Sequence, residues 1–357
     1  MKKLGVPTGS PPRLTNRGMS LVELLVAIGI GTLIVAAMAL LFASNSRSRA
    51  DTERASRKIE NGRYAVEVLR GELFHAGYLA EFDPTGLAPT LPVTKPDPCA
   101  TDLTSLRAAL GVHVQGYDNM AATTLSCLSD VKVGTDAVVF RRASGCVVGT
   151  AGCTALAAGA PAFQASSCTN AMELGSGLVA NYYKLDTDTS GLTLTRRNCA
   201  DAAEVRRYVL RIYYVANNDK PGDGIPTLKV RELGGGGFST SSLVQGAENL
   251  QLEYGLDTDS NGDADVYTAS PDLYLACTEA TVPTCVGHWT SVVSAKVFLL
   301  SRNVEAQGGS ADTNKYVLGR KADGTPNEYT SLPAGYKRKV FQEVVRLQNP
   351  SGRRATP

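Results

Sequence analysis

The stretch Arg17-Gly18-Met19-Ser20-Leu21-Val22-Glu23 joins a short basic leader to an uncharged apolar run from Leu24 to Ala43. That run has the length of about 20 residues that a helix needs to cross a bilayer core. The leader contains four Lys or Arg residues and no acid, a bias that predicts a cytoplasmic N-terminus. We therefore expect a membrane anchor at the start of the chain and almost all of its mass on the exported side.

Glu23 is the one charge beside this apolar run. A lone carboxylate in a membrane helix costs on the order of 2.5–3.5 kcal/mol on insertion scales, so a partner is expected. If the chain is cut after Gly18, the new α-amino group of Met19 lies four residues from Glu23 and on the same helix face. The alternative is a carboxylate at headgroup level that simply reaches water.

The Gly18–Met19 junction, followed by Glu23 and the apolar run, resembles the class III signal of type IV pilins and pseudopilins. The resemblance implies that a prepilin peptidase cuts after Gly18 and methylates the new N-terminus at Met19. It also implies that the apolar segment is retained, and that Glu23 pairs during assembly with the N-terminal amine of the same or a neighbouring subunit.

A helical stem is predicted beyond the membrane. Residues 44–77 contain no proline, and Ile59, Val66, Leu69 and Leu73 fall close to one helical stripe. This stripe is expected to pack on the chain's own sheet, with a coiled coil as the competing explanation, and Gly77 suits a helix cap. The predicted segments are a leader (1–18), a transmembrane helix (19–43), an amphipathic continuation of the stem (44–80) and an exported β-rich globular domain (81–357).

Strand-like runs follow the stem, whereas residues 83–130 read as a connection with little regular structure. Because strands accumulate after one long helix, the expected fold class is α+β, a pilin-like long N-terminal helix packed on an antiparallel β-sheet domain. Gly234–Gly237 is expected to be a flexible connection. The predicted strands are Ala137–Arg141, Tyr208–Val215, Leu228–Glu232, Leu250–Tyr254, Ser291–Leu300 and Arg338–Leu347.

All eight cysteines lie beyond the stem, and none forms a C-x-x-C pair, so zinc-ribbon and thioredoxin-type sites lack their spacing. An even number in an exported region indicates disulfides made in an oxidising periplasm. The expected pairs are Cys277–Cys285 and Cys146–Cys153, as short loop staples, together with Cys99–Cys127 and Cys168–Cys199.

Charge and motif content argue against nucleic-acid binding and against catalysis. The chain of 357 residues has a net charge of +2, but without the four basic residues of the leader it has 32 basic and 34 acidic residues, a net of −2. No nucleic-acid partner is expected. His75, His113 and His288 are isolated, and no H-E-x-x-H or G-x-S-x-G motif is present, so we expect no enzyme.

The motif with the most potential metal ligands is Asp257-Thr258-Asp259-Ser260-Asn261-Gly262-Asp263-Ala264-Asp265. Asp257, Asp259, Asn261, Asp263 and Asp265 alternate as oxygen donors around a glycine, as in the first part of a calcium loop. Position 12 is Thr268 instead of Glu, so this is not an EF-hand. The alternatives are a Ca²⁺ site in a β context, the one cofactor considered for this chain, and a turn rich in Asp and Asn.

Six motifs narrow the resemblance to the PilW family of minor pilins. In two departures from the family pattern, Met19 replaces the usual phenylalanine, and Glu81-Phe82 stands where relatives often have Gly-Cys, which leaves the role of Cys99 open. The motifs are Ser56-Arg57-Lys58-Ile59-Glu60-Asn61-Gly62-Arg63-Tyr64-Ala65, Ala76-Gly77-Tyr78, Leu250-Gln251-Leu252-Glu253-Tyr254-Gly255-Leu256-Asp257, Trp289-Thr290-Ser291-Val292-Val293-Ser294-Ala295-Lys296-Val297, Tyr336-Lys337-Arg338-Lys339-Val340-Phe341 and Leu347-Gln348-Asn349.

The resemblance implies a low-abundance subunit that primes pilus assembly and sits near the tip. Implied partners are the prepilin peptidase, other minor pilins, the major pilin, the inner-membrane assembly platform and a large tip adhesin. The implied location is the bacterial inner membrane, with the globular domain in the periplasm, and then the pilus tip or surface. Two alternatives stay open: a minor pseudopilin of a type II secretion system, and a membrane-tethered, calcium-dependent adhesin.

Overall fold

A computed structural model describes residues 18–82, 92, 94–168, 182–276, 284–307, 311–330 and 332–355. The chain divides into two compact units, Met1–Arg54 and Ala55–Pro357. In the first unit, the described residues from Leu21 onward are helical, and nearly all of their side chains are exposed. The second unit contains the end of the same helix and all of the β structure.

The long first helix, α1, covers 55 residues and contains one segment that is long and apolar enough to cross a membrane. Three short α-helices follow it among the described residues, and 3-10 turns lie at Thr189–Gly191 and Pro271–Ala276. The helices are α1 (Leu21–His75), α2 (Leu103–Ala108), α3 (Thr284–Thr290) and α4 (Gln348–Arg354).

The strands form a seven-stranded sheet, a four-stranded sheet and a two-stranded hairpin, and every pairing among the described strands is antiparallel. They are β1 (Val114–Tyr117), β2 (Ala137–Val147), β3 (Ala162–Ala165), β4 (Tyr183–Asp186), β5 (Val205–Ala216), β6 (Thr227–Gly234), β7 (Gly237–Gln245), β8 (Ala247–Leu256), β9 (Val266–Thr268), β10 (Val292–Arg302), β11 (Tyr316–Arg320), β12 (Pro326–Tyr329) and β13 (Arg338–Arg346).

β5 pairs with three other strands of the seven-stranded sheet. β2 pairs along one of its edges, while β3 and β6 share the other, and β4 and β7 extend the sheet from β3 and β6. The four-stranded sheet has the order β13-β10-β8-β9, and β11 and β12 form the separate hairpin. This arrangement confirms the α+β layout, a long helix with antiparallel sheets.

One hydrophobic core lies between the end of α1 and both large sheets. The predicted stripe contributes Val66, Leu69 and Leu73, all buried, whereas Ile59 is half-buried. Phe140 and Tyr213 face them from the seven-stranded sheet, and the four-stranded sheet adds a further set of side chains: Leu250, Leu252, Tyr254, Leu256, Ala295, Val297, Leu299 and Val345. The apolar face of the stem is therefore covered by the chain's own sheets.

A second core lies on the opposite face of the seven-stranded sheet. Alternate residues of β5 point to the two sides: Tyr213 and Val215 belong to the first core, and Leu210, Ile212 and Tyr214 to the second. Because successive strand residues point to opposite faces, a strand buried on both sides is apolar along its whole length. This explains why the Tyr208–Val215 run shows so little polar alternation.

All six predicted strands are present as β2, β5, β6, β8, β10 and β13, which confirms the periodicity argument. The seven others had been missed, and most of them are only three to five residues long. The expectation for residues 83–130 was wrong in part, because they include α2 and β1. Gly234–Gly237 is the tight turn of the β6–β7 hairpin, with Gly234 paired to Gly237.

Three disulfides match the predicted pairs. Cys99 is bonded to Cys127, which settles the open role of Cys99, and the other two bonds are Cys146–Cys153 and Cys168–Cys199. The fourth expected pair, Cys277–Cys285, includes a residue outside the described part of the chain and stays a prediction.

Candidate functional site

The N-terminal signal residues sit at the start of α1. Gly18 and Met19 are exposed and precede the helix, as a processing site requires. The backbone N–H of Ser20 donates to Glu23 Oε2 at 3.0 Å, and the Glu23 N–H donates to Ser20 Oγ at 3.2 Å. This reciprocal pair is a capping box, which satisfies two otherwise unpaired N–H groups at the helix start.

The capping box gives Glu23 a role that the pairing argument had missed. The signal was present in the sequence, because Ser-x-x-Glu immediately before an apolar run is the usual signature. The capping hydrogen bond from Ser20 uses Oε2 of Glu23. An ion pair between Glu23 and the new Met19 amine after cleavage would therefore form in addition to the cap. The cap itself explains an acid at this position only in part, since glutamine serves a capping box as well.

The stem is attached to the sheet by a buried carboxylate at Glu72, near the end of α1. Arg142 Nε donates to Glu72 Oε2 at 3.3 Å, and Tyr213 Oη donates to Oε1 at 3.3 Å. Arg211 Nη1 also donates to Oε1, and Arg211 Nε donates to Glu232 Oε2 at 3.0 Å. The network therefore connects the helix to three strands, β2, β5 and β6.

Electrostatics in this network favour the charged pairs. Burial lowers the pKa of Arg211, but the carboxylates of Glu72 and Glu232 outweigh burial and raise that pKa above its ordinary value. Burial and the neighbouring Glu72 charge together raise the pKa of Tyr213, so its hydroxyl stays protonated as a donor. No local signal in the sequence marks Glu72 as buried, because an acid on a helical stem can lie on a covered or an exposed face.

The acidic loop brings together three of the five predicted ligands. One carboxylate oxygen from each of Asp257, Asp259 and Asp265 lies within 4.8 Å of the other two. Asp263 is directed elsewhere, with Oδ1 3.4 Å from Arg346 Nη2, and Asn261 Oδ1 accepts from the Asp263 N–H at 2.7 Å. The expected set of five alternating donors is therefore not assembled around one point.

Hydrogen bonds within the loop occupy its innermost carboxylate. Asp257 is 1% exposed and accepts from the backbone N–H groups of Ser260, Asn261 and Gly262 at 2.6–3.2 Å. Arg354 Nη1 lies 3.5 Å from Asp257 Oδ2 and partly compensates its charge. A Ca²⁺ ion prefers six to eight oxygen ligands. The described residues fit such an ion only in part, and they fit a turn rich in Asp and Asn well.

The same loop holds the C-terminal helix α4 in place. Ser351 Oγ donates to Gly262 O at 2.5 Å, and an added Cβ on Gly262 would lie 2.6 Å from Ser351 O. α4 also reaches the end of the stem, where Asn349 Nδ2 donates to Ala76 O at 3.3 Å and Arg353 donates to Gly77 O. The acidic loop is therefore a structural support for the helix that closes the stem's end.

The three histidines lie in separate places. His75 is at the exposed end of α1, with Nδ1 2.7 Å from Gly71 O, and His288 Nδ1 lies 3.1 Å from Pro271 O. His113 is buried, with Nε2 2.8 Å from Val292 O, and burial lowers its pKa to about 3. Each ring is explained by a local contact with the backbone.

Two family models match the chain. Residues 212–349 match the Type IV Pilus-assembly protein W family, and residues 13–39 match the prokaryotic N-terminal methylation motif. The first match runs from β5 to the start of α4 and contains the four C-terminal motifs of the resemblance. Neither a search of curated proteins nor a search of solved structures returned a match.

The methylation motif implies processing by a prepilin peptidase and interaction with pilus components, and the apolar helix behind it indicates membrane anchoring. The family match covers the whole four-stranded sheet but only β6, β7 and the end of β5 from the seven-stranded sheet. Together with the long helix and antiparallel sheets, these matches support a type IV pilin-like protein of the PilW family.

Proposed function

We propose that this chain is a minor pilin that primes assembly of a type IV pilus and sits at or near its tip. The observation that carries the proposal is a prepilin-type N-terminus on the same helix whose later residues form the buried stem of a β domain. Pilin-family domains are structural and not catalytic, which is consistent with a protein that is not an enzyme.

The proposed segments follow from this function. Residues 1–18 are a leader removed after Gly18, 19–43 anchor the subunit in the inner membrane, and 44–80 continue the stem. Residues 81–357 form the periplasmic domain, which reaches the pilus tip or surface after assembly. Other minor pilins, the major pilin, the inner-membrane platform and a large tip adhesin are the proposed partners.

The first test is the mature N-terminus, read by mass spectrometry from membranes of the native host with and without its prepilin peptidase. A peptide that begins at methylated Met19, and disappears without the peptidase, supports a pilin-type subunit. An intact leader, or a cut beyond Ala43, contradicts the proposal. Deletion then separates the pilin from its rival: loss of pili supports the minor pilin, and a secretion defect with normal pili supports a type II pseudopilin.

Glu23 is proposed to pair with the Met19 amine during assembly. Glu23→Gln keeps the capping box but removes the negative charge, whereas Ser20→Ala removes the cap and keeps the charge. If charge pairing is what assembly needs, Glu23→Gln abolishes pilus incorporation while Ser20→Ala retains it. Immunoblots of sheared pili and of membranes measure incorporation against expression. The reverse pattern assigns Glu23 to capping alone.

Calcium binding by a tethered adhesin is the second candidate, supported by the carboxylate cluster of Asp257, Asp259 and Asp265. Isothermal titration of Ca²⁺ into the full chain in detergent tests it, with Asp259→Asn as the variant, because Asp259 is exposed. No heat at millimolar Ca²⁺ rules the site out. Saturable binding that Asp259→Asn weakens, together with loss of attachment while pili persist on deletion, supports the adhesin.

A further inference from the structure

A cavity of about 610 Å³ lies between the stem and the loop that leads into β13. Lys58 lines it from the stem, and Gly335, Tyr336 and Lys337 line it from the loop. Polar residues of the segment before β11 complete the wall, including Thr313 and Asn314. Nothing in the acidic loop, the capping box or the Glu72 network uses this cavity.

The acid in the wall is already neutralised. Asp312 Oδ2 accepts from Arg338 Nη1 at 2.8 Å and from Tyr316 Oη at 3.0 Å. Arg338 is shared with the buried carboxylate of Glu248, whose Oε1 is also 3.7 Å from Arg302 Nη1. Two guanidinium groups thus balance two carboxylates, and this inner cluster adds no net charge to the cavity.

The lysines in and beside the cavity have no such balance. Among the residues that the structure describes, Lys58, Lys337 and Lys339 form no ion pair, and Lys339 Nζ instead lies 5.4 Å from the centre of the Phe341 ring. Burial, together with repulsion from Lys337 and Lys339, lowers the pKa of Lys58. Within the described part of the chain, no carboxylate pairs with these three lysines, so their like charges repel one another.

We propose that this basic cleft, lined by Lys58 and Lys337, binds a phosphate-bearing anion with a charge near −2. One carboxylate would balance only one ammonium group, whereas a phosphate group carries about −1.5 to −2 at neutral pH and offers three acceptor oxygens. Lysine binds phosphate as a point charge. The Thr313 hydroxyl adds a neutral donor in the wall. Free phosphate and the paired phosphates of a cardiolipin headgroup present this charge, and pyrophosphate presents the same phosphate oxygens with a more negative charge.

Binding is tested by isothermal titration of inorganic phosphate and pyrophosphate into the full chain in detergent, at low and high salt. Saturable binding is expected, and the double variant Lys58→Gln/Lys337→Gln should weaken it at least tenfold. Lys321→Gln, in the turn of the β11–β12 hairpin, makes a matched charge change outside the cleft and should leave affinity unchanged. Equal affinity in all three proteins overturns the proposal.

Lysine acetylation, read residue by residue by mass spectrometry, tests the wild-type chain without relying on a variant's folding. Protection of Lys58 and Lys337, but not Lys321, by pyrophosphate identifies a soluble phosphate source. Protection only when the chain is reconstituted in phosphatidylcholine vesicles containing cardiolipin identifies the lipid headgroup. Protection by neither, or protection by polyglutamate alone, overturns the phosphate assignment.

Discussion

His113 makes the stability of the β-rich domain depend on pH. Its ring is buried and neutral, its folded-state pKa is about 3, and the ordinary unfolded value is 6.5. As the pH falls below 6.5, His113 becomes protonated in the unfolded chain but stays neutral in the folded chain. The free energy of unfolding therefore decreases progressively down to about pH 3. Between pH 7 and pH 5 we expect His113 to cost about 2 kcal/mol of unfolding free energy.

Denaturant unfolding of the full chain in detergent at the two pH values measures this effect. His113→Gln keeps a donor for Val292 O but does not titrate, so the pH-dependent loss should shrink by about that amount. NMR titration of the His113 ring in the wild-type chain provides an independent check. A ring that titrates near pH 6.5 in the folded protein would contradict the prediction.

Glu72 is predicted to be the most sensitive polar residue of the stem. It is 6% exposed, and its removal leaves Arg142 without its carboxylate partner and leaves Arg211 paired with Glu232 alone. We expect Glu72→Ala to lower the unfolding free energy by about 3–5 kcal/mol. Glu67→Ala is the control, because Glu67 pairs with Arg70 on the exposed side and should cost about 0–1 kcal/mol. Equal losses in the two variants would assign no special role to the buried network.

At the level of elements, the two glycines near the end of α1 should respond in opposite directions. Gly77 has a φ of +73° just after the helix, and an added Cβ would lie 3.0 Å from His113 Cβ. Gly77→Ala should therefore destabilise the domain by about 1–2 kcal/mol or more. Gly71 lies inside the helix with open space at its Cβ position, so Gly71→Ala should stabilise by about 1 kcal/mol.

Thermal unfolding of the two single variants beside the wild type measures this contrast. The helix ends where Gly77 lets its N–H donate to Arg141 O at 3.0 Å, which ties the stem's end to β2. If Gly77→Ala is neutral, α1 can end without this left-handed residue and the proposed cap is wrong.

For the whole molecule, disulfides should contribute according to the length of chain they close. Cys99–Cys127 has a sequence separation of 28, and Cys146–Cys153 has one of 7. In the chain-entropy account, loss of the longer closure costs about 1 kcal/mol more than loss of the shorter one. Paired Cys→Ser variants, compared by denaturant unfolding, measure the two contributions. A larger loss from the Cys146–Cys153 pair would show that native contacts, and not loop closure, decide the effect.

Features with a local cause were predictable from the sequence. An apolar run of membrane length, a Gly-Met junction before it and six long strands can each be recognised within a short window, because neighbouring residues set helix and strand periodicity. The capping box of Ser20 and Glu23 belongs to the same class, although its signature had been overlooked. Among the confirmed disulfides, only Cys146–Cys153 was expected from its short spacing, whereas Cys99–Cys127 and Cys168–Cys199 were expected without a local signal.

Features that join distant residues were decided by the tertiary structure. Glu72 is buried because the sheet brings Arg142 and Arg211 to it from 70 and 139 positions away. In the acidic loop, Asp263 pairs with Arg346 and lies outside the carboxylate cluster, and α4 packs over Gly262. The basic cleft combines Lys58 with Lys337 in the same way. By itself the sequence determined the anchor, the stem and the long strands through near-neighbour interactions. Strand order and register alone determined which charged side chains lie together, because these contacts join segments that are far apart in the sequence.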